Sequence, residues 1–107
     1  MKQFYIEDEN INIYVGENAQ DNWDLLDNSN QNYTWMHLSK FSSPYVIIDS
    51  KDPSKKIINY GACLCKQHSK YNNLKKIKVI YTNLKNVTKA DKIGSVTIKG
   101  KTKEIII

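Results

Sequence analysis

The stretch that decides the fold runs from Tyr33 to Ile48 and reads YTWMHLSKFSSPYVII, two apolar runs around a polar break. Side chains alternate between the two faces of a strand, so Trp35 and His37 share one face and the apolar residues beside them take the other. Pro44 donates no ladder hydrogen bond and therefore cannot continue a central strand. The stretch predicts two strands of one sheet, joined by a basic, serine-rich loop.

The length and composition of the chain indicate one soluble domain over residues 1–107. A chain of this size buries roughly 60–65% of its unfolded surface on folding. A hydrophobic content of 40% with 25% charged residues is ordinary for a globular protein. No apolar run is long enough for a membrane-spanning helix, and the acidic start has no apolar signal-peptide core. Two cysteines cannot staple a secreted scaffold, so we expect a cytoplasmic protein without membrane contact.

Charge is divided unevenly along the chain, although the net charge is only +5. Residues 1–53 carry three lysines and nine acids, whereas residues 54–107 carry thirteen lysines and two acids. A basic half of this kind is typical of polyanion-binding proteins. The alternative is compositional drift, because the chain has no arginine and is rich in Lys, Asn and Ile, the residues that AT-rich coding sequence favours.

Hydrophobic periodicity predicts a strand and two helices in the first two thirds of the chain. Residues 11–15 alternate as a strand with one buried face. Asn18 is a suitable N-cap for a helix that ends near Leu26. Ser54 is suited to cap a second helix, over residues 55–68, in which apolar side chains recur at helical spacing.

The last third of the chain predicts three more strands. The clearest covers residues 75–81, where apolar and lysine side chains alternate. A lysine-bearing loop over residues 82–92 follows, then strands near 95–98 and 104–107 with a hairpin turn at Gly100. Strands interspersed with two helices in this order predict an α+β domain with a mostly antiparallel sheet.

Several short motifs, taken in order, follow the pattern of one family. They are Ile11-Asn12-Ile13-Tyr14-Val15-Gly16, the helix asparagines Asn18 and Asn22, Trp35-x-His37 followed by Ser43-x-x-Val46-Ile47, Ser69, Lys76-Ile77-Lys78-Val79-Ile80-Tyr81-Thr82, Lys85-Asn86-Val87-x-Lys89, and Gly94. Together they resemble the NFACT-R domain, the RNA-binding module of ribosome quality-control proteins, which also occurs nearly alone in small coiled-coil proteins. Glu17 and the pair Pro44-Tyr45 depart from the family pattern, which has a basic residue and Ser-His at these places.

The resemblance implies a non-enzymatic RNA-binding domain that needs no cofactor and has a connection to the ribosome. Five residues would be structural positions of its motifs, namely Gly16, Asn22, Trp35, Tyr81 and Gly94. The expected partner is structured RNA, either tRNA or rRNA, with DNA as the second polyanion to consider. Recognition would depend on backbone charge and shape rather than on base sequence.

The residues expected to contact nucleic acid are mostly lysines, whose compact charge suits phosphate oxygens rather than bidentate contact with a base. They are Lys75, Lys76, Lys78, Lys85, Lys89 and Lys92, with Lys40 and His37 beside them. Six phosphate contacts predict a log–log salt slope of about −4 to −5. The alternative interpretation is a solvated face that only keeps the domain in solution.

Aromatic side chains have two interpretations in this sequence. Trp35 is predicted to lie in the core, because large aromatics dominate core burial. His37 is either a hydrogen-bonded core histidine or a polar contact at the sheet surface. Tyr33, Tyr45 and Tyr81 are candidates for stacking on unpaired bases.

Cys63, Cys65 and His68 invite a metal-site interpretation that helix geometry opposes. Residues two apart on a helix point about 200° apart, so the two thiols cannot bind one ion. Only Cys65 and His68 share a side, and a structural zinc site needs four ligands. We therefore predict no metal.

Two other functions compete with RNA binding. In a protein-interaction adaptor the sheet would bind a partner protein and the lysines would be incidental. A hydrolase or nuclease would need an acid–base pair, for which His37 with Asp49 or Tyr45 is the only candidate. The sequence has no phosphate-cradling glycine loop and no triad signature, so we predict that the protein is not an enzyme.

Overall fold

Eight strands and two helices follow one another in the computed structural model, which describes residues 1–107. They are β1 Lys2–Ile6, β2 Ile11–Val15, α1 Ala19–Asn28, β3 Thr34–Leu38, β4 Val46–Ile48, α2 Lys55–Gln67, β5 Lys78–Asn83, β6 Val87–Lys89, β7 Val96–Ile98 and β8 Lys103–Ile106. The two helices and the antiparallel pairings confirm the predicted α+β class. Neither helix has the length and apolar character needed to cross a bilayer.

The main sheet has six strands in the order β1-β2-β4-β3-β5-β8, and β6 and β7 form a separate two-stranded sheet. Trp35 lies opposite Ile47 of β4 on one side and Thr82 of β5 on the other. The two strands predicted from the opening stretch therefore pair as expected, and β3 is an interior strand of the sheet.

One face of the main sheet packs against α2. Ser54 caps this helix by accepting a hydrogen bond from the Ile57 amide, at 3.3 Å. Gly61 allows the helix to approach the sheet, because a Cβ there would lie 2.9 Å from the Met36 sulfur. Thirteen buried residues form this core, including Met36 and Leu38. Burying each large aliphatic side chain contributes about 1.5–3 kcal/mol.

The opposite face is covered by α1 and the β6–β7 hairpin. Seven residues form its core: Leu25, Leu26, Trp35, Tyr45, Ile47, Leu84 and Val87. Asn18 caps α1 as predicted, accepting from the Asp21 amide at 2.8 Å. The Trp23 indole N–H donates to the Ser95 carbonyl at 3.0 Å and so joins the helix to the hairpin. Trp35 and His37 thus lie on the α1 side, and their neighbours in β3 lie on the α2 side.

Two strands differ from the sequence-based expectation. Strand β1 pairs with β2 along its whole length but was not expected, because only Phe4 and Ile6 are partly buried and the apolar pattern is weak. Strand β5 begins at Lys78 rather than at Lys75. Lys76 has a φ of 57°, in the left-handed region, which interrupts an extended strand.

The predicted hairpin at Gly100 is wrong. Gly100 does adopt a turn conformation, with a φ of 80°. However, β7 pairs with β6, a strand inside the region predicted as a loop, through Thr97 opposite Thr88. Strand β8 crosses to the edge of the main sheet and places Ile105 opposite Val79 of β5. Alternation along a strand does not specify its partner: β7 pairs with the strand before it rather than with β8, and β8 pairs with the distant β5.

Candidate nucleic-acid interface

The antiparallel pairing brings four loops to one end of the main sheet, which we call the cleft end: residues 16–18, 39–45, 68–77 and 90–95. Three hydrogen bonds connect them to each other and to β5. The Gly16 amide donates to the Tyr45 carbonyl at 3.0 Å, and the Ser39 amide donates to the Lys78 carbonyl at 2.9 Å. The Tyr45 hydroxyl donates to the Gly94 carbonyl.

An open cleft of about 940 Å³ lies between these loops. Only four of its twenty lining residues are hydrophobic, and the polar ones include Asn18, Ser39, Lys40, Ser43, Ser69 and Lys70. Hydroxyl and ammonium groups are among the donors that bind phosphate oxygens in nucleic-acid complexes.

Lysines outnumber acids in the chain segments that make up the cleft end. Eight lysines lie in its loops or in the strand and helix residues next to them: Lys2, Lys40, Lys66, Lys70, Lys75, Lys76, Lys78 and Lys92. The acids in or against the same segments are Glu17, Asp21, Asp91 and Glu104, the last 3.5 Å from the Lys78 ammonium group. Both Glu17 and Asp21 lie within 2.9 Å of the Met1 amine, which offsets part of their charge.

The lysines singled out from the sequence do not all share this end. Those at the cleft end are Lys40, Lys75, Lys76, Lys78 and Lys92. Lys85 lies at the opposite end of the sheet, in the turn after β5, where its amide donates to the Gln31 carbonyl at 2.9 Å. Lys89 lies along the hairpin, 2.6 Å from the Asp27 carboxylate and 5.1 Å from the centre of the Trp23 ring. The lysines predicted from the sequence therefore do not form one cluster. Five lie at the cleft end, Lys85 lies at the opposite end of the sheet, and Lys89 lies on the β6–β7 hairpin.

Trp35 is a core residue, as predicted, with only 1% of its surface exposed. Its ring stacks on His37 with centroids 5.8 Å apart and planes 2° apart. His37 lines the cleft, and its Nδ1 lies 2.7 Å from the Leu38 carbonyl oxygen. Burial lowers the pKa of His37, while the hydrogen bond to Leu38 acts in the opposite direction. The ring is therefore neutral near pH 7 and offers a hydrogen-bonding group rather than a charge.

The tyrosines proposed for base stacking are less available than the sequence indicated. Tyr45 is 1% exposed, so its predicted stacking role is wrong. Burial raises its pKa to about 12, which keeps the hydroxyl a donor toward Gly94. Tyr33 packs against the α1-side core and Tyr81 against the α2-side core, and both are half-buried.

Asn22 holds three cleft-end segments together. Its Oδ1 accepts from the buried Tyr45 amide at 3.1 Å. The same oxygen lies directly over the Gly16 α-carbon, where a Cβ would overlap it. Gly94, with a φ of 87°, passes so close to α1 that a Cβ would lie 2.7 Å from that of Ala19. Side chains larger than hydrogen would separate α1 from β2 or from the hairpin.

The sequence profile of the NFACT protein RNA binding domain family matches residues 1–103 of the chain. The chain belongs to the NFACT-R family. Of solved structures, the C-terminal part of the fibronectin/fibrinogen-binding protein from Streptococcus suis is similar, with a TM-score of 0.90 and 25% identity. The alignment covers 99% of this chain and 44% of that one. A comparison with curated proteins gives no match.

Membership of the NFACT-R family confirms the resemblance drawn from the motifs. The match also includes β1, whereas the motifs could be followed only from Ile11 onward. The family is defined as an RNA-binding domain rather than a catalytic one. Of the two partners considered for His37 in catalysis, Tyr45 lies beside it, with ring centroids 5.6 Å apart. Asp49 does not, because its carboxylate accepts from the Asn12 amide at 2.8 Å beyond the other end of β4.

The cysteines of this NFACT-R domain lie in or beside the helix core. Cys65 is buried, and burial raises its pKa to about 11. Its thiol lies 3.5 Å from the Ser43 hydroxyl and donates to the Pro44 carbonyl at 3.6 Å. Cys63 is partly exposed, and nowhere do three or more metal-binding side chains come together.

Sequence reasoning missed three lysines of the cleft end, Lys2, Lys66 and Lys70. Lys2 belongs to the unexpected strand β1, so it had no predicted location. Lys66 lies in the last turn of α2 and Lys70 just after the helix, and only the tertiary fold shows that the helix ends beside the cleft.

Proposed function

We propose that this NFACT-R domain binds structured RNA, such as tRNA or rRNA, at the cleft end through the sugar–phosphate backbone. The observation that carries the proposal is that eight lysines and four acids lie in or against the segments of the cleft end, with Lys2, Lys40 and Lys70 lining the cleft itself. Membership of an RNA-binding family supports RNA as the ligand. The family resemblance extends the proposal to a role in translation or ribosome quality control.

Most cleft-end lysines are free to neutralise phosphates. Of the five ion pairs in the protein, only that between Lys78 and Glu104, at 3.5 Å, uses one of these side chains. Lys40, Lys70, Lys75 and Lys76 have no acidic partner to give up when RNA binds. Each phosphate they neutralise would release condensed counterions, which favours binding and makes it depend on salt.

Charge and shape, rather than base identity, would set the preference of this surface. Lysine ammonium groups contact phosphates as point charges and do not present the planar fork with which arginine reads a guanine. With no arginine in the chain, discrimination between RNAs would come from how well a folded backbone fits the cleft. A rigid DNA duplex of equal charge is therefore the appropriate competitor.

The test compares two triple variants that change the net charge equally. One replaces Lys40, Lys70 and Lys75 at the cleft end by Gln. The control replaces Lys51, Lys99 and Lys101, which lie in loops at the other end of the sheet, by Gln. Fluorescence anisotropy with a labelled tRNA and a labelled DNA duplex gives the dissociation constant at several salt concentrations.

We expect the cleft-end variant to bind tRNA roughly ten- to a hundredfold more weakly than the control variant. Its log–log salt slope would be shallower by about 2 to 3, because each lost phosphate contact removes about 0.7 to 0.9. Equal losses in the two variants would refute the site while leaving RNA binding intact. Failure of the unaltered protein to bind any RNA at low salt would refute the function itself.

A further inference from the structure

An exposed aromatic pair lies at the cleft end among the lysine-bearing loops. Phe41, in the loop between β3 and β4, is 37% exposed. Its ring packs on that of Tyr71, in the loop after α2, with centroids 4.4 Å apart and planes inclined by 37°. Phe41 also lines the cleft, together with Lys40 and Lys70.

The two rings differ in how firmly the fold holds them. Tyr71 packs against the α2-side core, and its amide donates to the Ser69 hydroxyl at 3.1 Å. That hydroxyl donates in turn to the Lys66 carbonyl at 2.7 Å, so the end of α2 fixes the loop. Phe41 belongs to neither core. The Tyr71 ring, which the fold fixes in place, thus supports the more exposed Phe41 ring.

We propose that Phe41, supported by Tyr71, stacks on an unpaired base of the RNA while the lysines beside it contact the neighbouring phosphates. This inference rests on the proposed function and adds that the RNA presents a base that is not in a duplex. Aromatic side chains beside a positively charged groove are the arrangement by which proteins bind single-stranded nucleotides. Lys40 precedes Phe41 in the chain and Lys70 precedes Tyr71, and both lysines line the same cleft as Phe41.

The alternative is that contact between Phe41 and Tyr71 only stabilises the packing of their two loops against each other. In that case Phe41 would matter for folding and for the position of Lys40, whatever the RNA presents. The two interpretations predict different responses to removing the base, since a fastening role is insensitive to the base and a stacking role is not.

The experiment is a cycle between the protein and the RNA. One RNA is a hairpin with a single unpaired adenosine in a bulge, and the second is identical except for an abasic site there. The protein is tested unaltered, as Phe41→Leu, as Phe41→Trp, and as Tyr60→Leu. Tyr60 is 43% exposed on α2 and lies outside the cleft lining, which makes it a matched control. Melting temperatures of all four proteins establish that each is folded.

We expect Phe41→Leu to bind the bulged RNA roughly fivefold or more weakly, because a base–aromatic stack contributes about 1–3 kcal/mol. The abasic RNA should bind the unaltered protein and Phe41→Leu equally, Phe41→Trp should retain affinity for the bulge, and Tyr60→Leu should change neither RNA. Equal loss on both RNAs would overturn the stacking role and leave the proposed function standing. If Phe41→Leu lost no affinity for either RNA, the stacking role would likewise be overturned and the proposed function would stand. Absence of all RNA binding would overturn both.

Discussion

Replacing Gly16 by Ala should strongly destabilise the protein, although its backbone conformation allows any residue. Only Gly94 and Gly100 among the glycines have a positive φ. The cost at Gly16 is therefore steric, because the new methyl group would overlap Asn22 Oδ1. Displacing this oxygen leaves the buried Tyr45 amide without its 3.1 Å acceptor, which costs about 1–3 kcal/mol. Overpacking by the methyl group lowers the free energy of unfolding by about 1–3 kcal/mol more. Alanine also reduces the conformational entropy of the unfolded chain, which offsets the loss by up to about 1 kcal/mol.

The net loss is about 2–4 kcal/mol, a fall in Tm on the order of 10–20 °C for a domain of this size. Asn22→Ala should cost about as much, because it removes the same acceptor. In the Asn22→Ala background, however, the overlap no longer exists, so adding Gly16→Ala should cost less than about 1 kcal/mol. Chemical denaturation of the unaltered protein, both single variants and the double variant gives the coupling energy. Losses that simply add would show that the two residues are independent and would refute this account of the cleft end.

Two further predictions concern titratable groups whose pKa is shifted by burial, His37 and Cys65. Because the pKa of His37 is lowered in the folded protein, the unfolded chain binds more protons below about pH 6.5, and stability falls on acidification through that value. The Tm of His37→Gln should therefore fall less than that of the unaltered protein between about pH 7.5 and pH 5.5; an identical fall would contradict the assignment. With a pKa of about 11, Cys65 is only about 0.1% thiolate at pH 8. Timed alkylation followed by peptide mapping should label Cys63 well before Cys65 in the native protein and both together in denaturant, whereas similar native rates would contradict the burial.

The sequence predicts the central elements well because their patterns are strong. The alternation around Trp35 and the caps at Asn18 and Ser54 give local signals that the fold keeps. Strand β1 was missed because an edge strand buries little, and the Gly100 hairpin was wrong because pairing depends on distant contacts. Caps and side-chain alternation predict whether a helix or strand exists. Which strands pair with each other depends on contacts between residues far apart in the sequence.

The candidate site was less predictable, because a lysine looks the same in the sequence whether it is paired or free. Lys89 and Asp27 are 62 residues apart in sequence, and Lys56 and Asp8 are 48 apart, yet each pair is joined in the fold. Such exposed pairs contribute about 0–1 kcal/mol to stability, so no strong pattern selects them. They do determine which charges remain available to a ligand.

The division of charge between the two halves of the chain is therefore only an indirect sign of the binding surface. Many acids of the first half lie away from the cleft end, where they offset lysines of the second half, as Asp27 does for Lys89. Cleft-end lysines such as Lys40 and Lys70 have no such partner. Dissolved salt screens exposed charges from each other beyond about 8 Å at physiological ionic strength, so a polyanion responds to the local excess of charge rather than to the net charge of +5. A lysine substitution should therefore weaken RNA binding according to its end of the sheet, not its place in the sequence.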